Sequence, residues 1–254
     1  MTHAVDSDDS ACIAEQEVSS AAAINRLRSV RAVLFDLDDT LIPQEPVLAG
    51  AFRAVADAGE RFGADPETFY NALIADARLG SARGGIINRA AESVGLNLSP
   101  EELALLVDAF RLWRPQEVHA YTGVVEALSR LRQIVPIGLI TNGDPVVQAG
   151  KLARSGIWRL FGAVVFADEL GREHRKPAPL AYQIAARALG TLPKECAFVG
   201  DRPEVDLTGA AKLGMVTVRV LTGEYRNDRS PIPVDLVLAD AATAARVFSE
   251  QLAV

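Results

Sequence analysis

The sequence has only two cysteines, Cys12 in a polar leader and Cys196 at the head of an apolar run. That usage excludes a disulfide framework and makes a reducing cytoplasm the expected compartment. No basic segment followed by an apolar stretch opens the chain, and no run approaches the ~18 apolar residues of a membrane helix. Secretion and membrane spanning are therefore not expected. Positive charge is also short: 26 Lys and Arg face 33 Asp and Glu, for a net charge of -7. Nothing in that balance attracts nucleic acid or an anionic membrane surface. Internal repeats and low-complexity tracts are absent too. A small-molecule partner is the expectation, and an acidic chain that binds an anion must assemble positive charge locally, from a metal, a lysine and backbone N–H groups.

What is present is apolar: 49% of the 254 residues are hydrophobic, enough for one sizeable core or a core with a smaller insert. Residues 1–28, rich in acids, Ser and Ala, read as a mobile leader. From Val30, VRAVLFDL is the first of six short Val/Leu-rich runs. The others are residues 134–141, 163–167, 196–200, 216–221 and 235–239. Such runs suit strands covered on both faces. Between them VVEALSRLR, PVVQAGKLARSG, PLAYQIAARALG and VDLTGAAKLG place apolar residues at helical spacing. The alternation predicts an α/β fold, a doubly wound and mainly parallel Rossmann-like sheet whose ligands sit beyond the carboxyl ends of the strands.

Residues 45–119 break this rhythm with about four helix candidates and no strand, the clearest beginning at Pro100 and aligning Leu103, Leu106, Val107, Phe110 and Trp113. They are expected to form a helical cap inserted into a core of residues 29–44 and 120–254, with Pro43, Pro46 and Pro115 at the connections.

The first strand ends in FDLDDTL, which crowds Asp36, Asp38 and Asp39 into four residues. A solvated acidic turn capping the next element would explain this, and so would a cation. Three further polar devices follow later strands. Thr141, Asn142 and Gly143 precede a helix start, Lys176 stands in HRKPAPL, and VGDRPEVD holds Asp201 and Asp206. Each alone has an ordinary capping or solvation reading. Together, at the carboxyl ends of a doubly wound sheet, they would face one crevice. There, two or three carboxylates can hold Mg2+ while a lysine and a Thr hydroxyl hold a phosphate for attack by an aspartate.

In order, FDLDDTL, LITNG, Lys176 with its prolines, and VGDRPEVDLTGAAKLGM resemble the four motifs of the haloacid dehalogenase-like hydrolases, over roughly residues 31–222. The resemblance implies that Asp36 is phosphorylated and that Asp38 protonates the leaving oxygen and then activates water. It further implies that Thr141, Asn142 and Lys176 hold the transferring group. Mg2+ would be bound by Asp36, Asp38 through its backbone carbonyl, Asp201 and Asp206, the last as ligand or as a partner orienting one. Asp38 favours phosphate chemistry over 2-haloacid dehalogenation, whereas a phosphoryl-transferring mutase and a non-catalytic phosphate-binding protein remain alternatives. The expected substrate is a small phosphorylated metabolite such as a sugar phosphate, for a monomer or homodimer. In the cap, Arg53, Asn88, Arg89, His119 and above all Arg83 with Gly84 and Gly85 are candidates for substrate contact.

Overall fold

The computed structural model describes residues 26–228 and 230–253. Six short strands form one parallel sheet: β1 (Ala32–Phe35), β2 (Ile137–Thr141), β3 (Ala163–Phe166), β4 (Cys196–Gly200), β5 (Val216–Val220) and β6 (Leu236–Leu238). Their order is β3-β2-β1-β4-β5-β6. β1 is central, with Val33 opposite Ile137 of β2 on one side and Ala197 of β4 on the other. The chain winds outward from β1 in both directions, so the order reverses between β1 and β4. That switch point opens a crevice at the carboxyl ends of the two strands.

Alternation along β1 supplies both faces of the core. Val33 and Phe35 pack with Leu128 and Phe248, whereas Ala32 and Leu34 pack with Tyr182, Ala185 and Phe198. Apart from Phe198 of the neighbouring β4, these partners come from helices on opposite faces of the sheet, α5 (Val124–Leu131) and α9 (Ala241–Leu252) on the first and α7 (Pro179–Ala188) on the second. The helix after β2 is α6 (Pro145–Arg154), and α8 (Thr208–Lys212) follows β4. With both faces covered, continuous apolar strands are what burial requires.

Between β1 and α5 lie α1 (Glu45–Gly59), α2 (Pro66–Ala77), α3 (Ile86–Ser93) and α4 (Pro100–Leu112). They share an apolar cluster of their own, with Phe52, Phe69, Leu73 and Leu106 at its centre. Local chemistry sets their starts. Asp65 accepts from Thr68 N at 2.9 Å ahead of Pro66. Ser99 and Glu102 close a reciprocal capping box ahead of α4. At the ends of this insert, Val47 and Val118 are buried in the sheet core rather than in the helical cluster.

Two expectations shift. Residues 1–25 of the proposed leader lie outside the described residues, but residues 26–28 form a helical turn that buries Leu27 in the core. Arg26 there pairs with Asp235 and donates to Met215 O at 3.1 Å, so core contacts begin before residue 29. The strands are also shorter than their apolar runs, because residues 134–136 still belong to the turn after α5 and Asp36 already lies beyond β1. Among the described residues, no helix is long and apolar enough to cross a membrane.

Candidate active site

Asp36 is the first residue after β1, and its N–H donates to Val199 O of β4 at 2.9 Å, which fixes it at the switch point. The chain then bends at once: Leu41 N and Ile42 N both donate to Leu37 O, at 2.9 and 3.1 Å. Asp39 takes φ 58, a left-handed conformation that Asp tolerates better than most residues. Its carboxylate accepts from Gln44 N at 2.9 Å and Glu224 N at 3.2 Å. Of the three crowded acids, Asp39 is thus the one whose carboxylate braces the turn through backbone N–H groups.

Asp201 follows β4 in the same way. Thr40 orients it by accepting from Asp201 N at 3.1 Å and donating to Asp201 Oδ1 at 3.3 Å. Asp206 comes close because residue 200 is glycine; a Cβ there would lie 2.6 Å from the Asp206 Cβ. Arg202 N donates to Asp206 Oδ2 at 3.0 Å, and Tyr182 Oη donates to Asp206 O at 2.9 Å. One oxygen each of Asp36, Asp201 and Asp206 lies within 4.8 Å of the others. Lys176 Nζ bridges Asp36 Oδ1 and Asp206 Oδ1, the latter at 2.8 Å.

All four of these side chains are buried. Burial pushes the Asp36 carboxyl up to about 7 against the pull of Lys176, with Asp206 adding repulsion. Asp201 is driven well above the carboxylate range by burial and by the charges of Asp206 and Asp36. Burial opposes the charge on Lys176, but Asp206 and Asp36 outweigh it and keep the amine protonated. Three carboxylates against one ammonium leave an excess of negative charge that only protons or a cation can relieve. Among the described residues, the buried Asp201 Oδ2 also has no hydrogen-bond partner. A hard divalent cation with oxygen ligands suits both the excess charge and the orphaned oxygen.

A second cluster sits beside the first. Asp38 accepts from Lys151 Nζ at 2.7 and 2.8 Å, and its Oδ2 also accepts from Gln148 Nε2 at 2.8 Å. Gln148 reaches Thr141 Oγ1 at 2.5 Å as well, so one amide ties the expected acid-base to the expected phosphate-binding hydroxyl. The Asp38 carboxylate is consequently engaged apart from the buried triad, which leaves its backbone carbonyl as the group expected at the cation. Asn142 is tied to the lysine's backbone: its side chain donates to Lys176 O at 3.1 Å and accepts from Lys176 N at 2.9 Å, while the residue still borders the cavity. Gly143, at φ 109, donates its N–H to Asp168, which is also gripped by Arg175.

These groups line a cavity of about 330 Å³. Asp36, Asp38, Thr141, Asn142, Lys176, Asp201 and Asp206 all border it. Arg83 does not: it is exposed, and Ser81 and Ala82 line the cavity in its place, with Leu48 and Phe110 from α1 and α4. The other cap candidates are also committed elsewhere or exposed. Arg53 pairs with Glu67 and Arg89 with Asp76, and Asn88 and His119 are exposed. Residue type alone does not reveal which way a loop side chain points. Lys151 and Gln148 are hidden in the sequence for the opposite reason, because they lie within a helix whose dominant pattern is its apolar spacing. Their three-residue separation just after TNGD was the available signal.

A parallel sheet whose switch point holds an aspartate, two more buried carboxylates and a bridging lysine defines a Rossmann-like protein with a buried acidic site at its crevice. Residues 30–214 match the family of haloacid dehalogenase-like hydrolases, and the chain belongs to that family. The glyceraldehyde 3-phosphate phosphatase of Methanopyrus kandleri is 35% identical over 204 residues, covering 78% of this chain and 87% of that protein. The N-acylneuraminate-9-phosphatase of Homo sapiens is 28% identical over 221 residues, covering 74% and 81%. Among solved structures, a HAD phosphatase from Thermococcus onnurineus shares the fold with a TM-score of 0.62 at 24% identity, over 86% of this chain and 97% of that one.

Proposed function

We propose that this phosphatase of small phosphorylated metabolites works through an aspartyl-phosphate on Asp36. The observation that supports this reading most is the buried Asp36, Asp201 and Asp206 triad bridged by Lys176, with Asp38 two residues from the nucleophile. An Asp36 carboxylate oxygen attacks phosphorus, and the bond from phosphorus to the ester oxygen breaks. The leaving oxygen takes a proton from Asp38. Water then attacks the phosphoryl group, Asp38 receives the proton, and phosphate departs with Asp36 restored. Lys176 and the Thr141 hydroxyl would neutralise and hold the phosphoryl oxygens. Asp36, Asp201, the Asp38 carbonyl and Asp206 would hold Mg2+, which when bound lets an anionic nucleophile approach an anionic ester.

As observed, Asp38 accepts from Lys151 and Gln148, which orient its carboxylate beside Thr141. Donating a proton to the leaving oxygen requires the carboxyl to turn from that grip toward the cavity. The helices of residues 45–119 would act as the cap that excludes bulk water, and a cavity of about 330 Å³ suits a small substrate. The names of the relatives, a glyceraldehyde 3-phosphate phosphatase and an N-acylneuraminate-9-phosphatase, support sugar-derived phosphates as the first substrates to try. The test is phosphate release from a metabolite panel with Mg2+. Absence of release from every member, generic aryl phosphates included, would sink the reading.

A further inference from the structure

Four cationic residues line the cavity: Lys151, Lys176, Arg175 and Arg202. Three are committed to carboxylates, Lys176 to Asp36 and Asp206, Lys151 to Asp38, and Arg175 to Asp168. Arg202 makes no ion pair among the described residues; its guanidinium lies over the ring of Tyr225, 4.6 Å from the centroid. Stacking of this kind fixes the plane of a guanidinium while leaving its N–H edge uncommitted. The platform is itself anchored. Buried Arg219 donates to Tyr225 O at 3.0 Å and to Asp228 O at 2.5 Å, pinning the loop that carries the ring. Glu224, the acid next to Tyr225 in sequence, is engaged by Ser81 N and Oγ instead of by Arg202.

We propose that Arg202 binds a second anionic group on the leaving portion of the substrate, so that preferred substrates are phosphomonoesters bearing a carboxylate or a second phosphate. This rests on the phosphatase reading of the same cavity. The transferring phosphoryl group is already served by Lys176 and Thr141, which leaves Arg202 without a task in the chemical step. The cap contributes Leu48, Phe110, Ala82 and Ser81 to the lining, none of them charged. An anionic tail entering this cavity therefore has one uncommitted cation to meet. A planar fork bound by two parallel hydrogen bonds suits carboxylate and phosphate alike.

Matched esters test the assignment. 2-Phosphoglycolate is compared with 2-hydroxyethyl phosphate, and propane-1,3-diyl bisphosphate with 3-hydroxypropyl phosphate; the first pair isolates a carboxylate and the second a phosphate. The wild-type protein with Mg2+ is expected to favour the anionic member of at least one pair by about 10-fold or more in kcat/KM, the scale of a charged hydrogen bond. In R202M that ratio should fall to near one, chiefly through KM, and R202K, which keeps the charge but not the fork, should lie between. A wild-type ratio near one in both pairs overturns the proposal, and so does a preference that survives in R202M. Should the arginine variants unfold, as read by thermal denaturation, the wild-type ratios still decide. Hydrolysis of p-nitrophenyl phosphate with ratios near one would count against the second-anion site alone. If no ester is turned over, the phosphatase reading falls, and calorimetric Kd ratios for the same pairs on the Asp36→Asn protein decide about Arg202 by the same criterion.

Discussion

On the sheet side of the cavity, almost every polar side chain is held by at least one other. Lys176 spans two aspartates, Thr40 aligns Asp201, Gln148 ties Asp38 to Thr141, and Asn142 grips the backbone of Lys176. On the helical side, Leu48, Phe110, Ala82 and Ser81 offer shape with little hydrogen bonding. Chemistry common to many phosphate esters needs charges fixed against each other before substrate arrives. Recognition of one leaving group needs only a complementary wall, which can change without disturbing the charges. The contrast predicts large losses of function for changes on the first side and mild or substrate-dependent ones on the second.

The largest effect is expected at Asp36. Asp36→Asn should lower phosphate release by roughly 10³-fold or more, as loss of a nucleophile does, with circular dichroism unchanged. Lys176→Met leaves Asp36 and Asp206 without their shared ammonium. Breaking a buried pair costs about 3–5 kcal/mol, so urea denaturation in EDTA should show a loss of that order, recovered in part at acid pH as the carboxyls protonate. Lys151→Met should lower kcat by on the order of 10²-fold, the usual range for an impaired acid-base, while KM changes little. Equal rates in Lys151→Met and wild type would mean that the grip on Asp38 has no functional weight.

Thermal unfolding against pH probes the same wall without mutation. Folded Asp36 holds its proton up to about 7, and Asp201 is shifted in the same direction. A carboxyl whose pKa is raised on folding contributes stability that is lost as pH rises from its unfolded value, near 4, through the folded one. In EDTA the Tm should therefore fall between pH 5 and pH 8. Mg2+ should oppose that fall, so the gap between the Mg2+ and EDTA curves should widen as pH rises; a constant gap would argue against cation binding at the triad. The smallest effect is expected on the helical side at Arg83, where Arg83→Ala should leave kcat/KM within about 2-fold, as for other exposed side chains.

Of the fold, the sequence showed the six strands and the alternating helices, because strands buried on both faces must be apolar throughout and helices must repeat their apolar residues every three or four positions. It also showed residues 45–119 as helical, since no period-two pattern interrupts them. Strand ends were less legible. The apolar run of residues 134–141 outlasts β2, as a turn packed on the core is apolar too. Leu27 looked like part of a polar leader because a single leucine has no period to betray its burial.

The site divides in the same manner. The sequence by itself determined that Asp36, Asp38, Thr141, Lys176, Asp201 and Asp206 gather at one crevice, because each stands at or just beyond a strand end, or before a helix leading from one, and a doubly wound sheet brings such ends together. Only the tertiary structure decided what each side chain does there. It gave Asp39 to the turn, Asn142 to the backbone of Lys176, and Asp38 to Lys151 and Gln148; it also left Arg83 outside and Arg202 without a carboxylate among the described residues. Position along a strand is a one-dimensional property set by hydrophobic period. The partner of a polar group is set by distances between segments remote in sequence, such as the 2.7 Å between Lys151 Nζ and Asp38 Oδ1, and these exist only once the chain has packed.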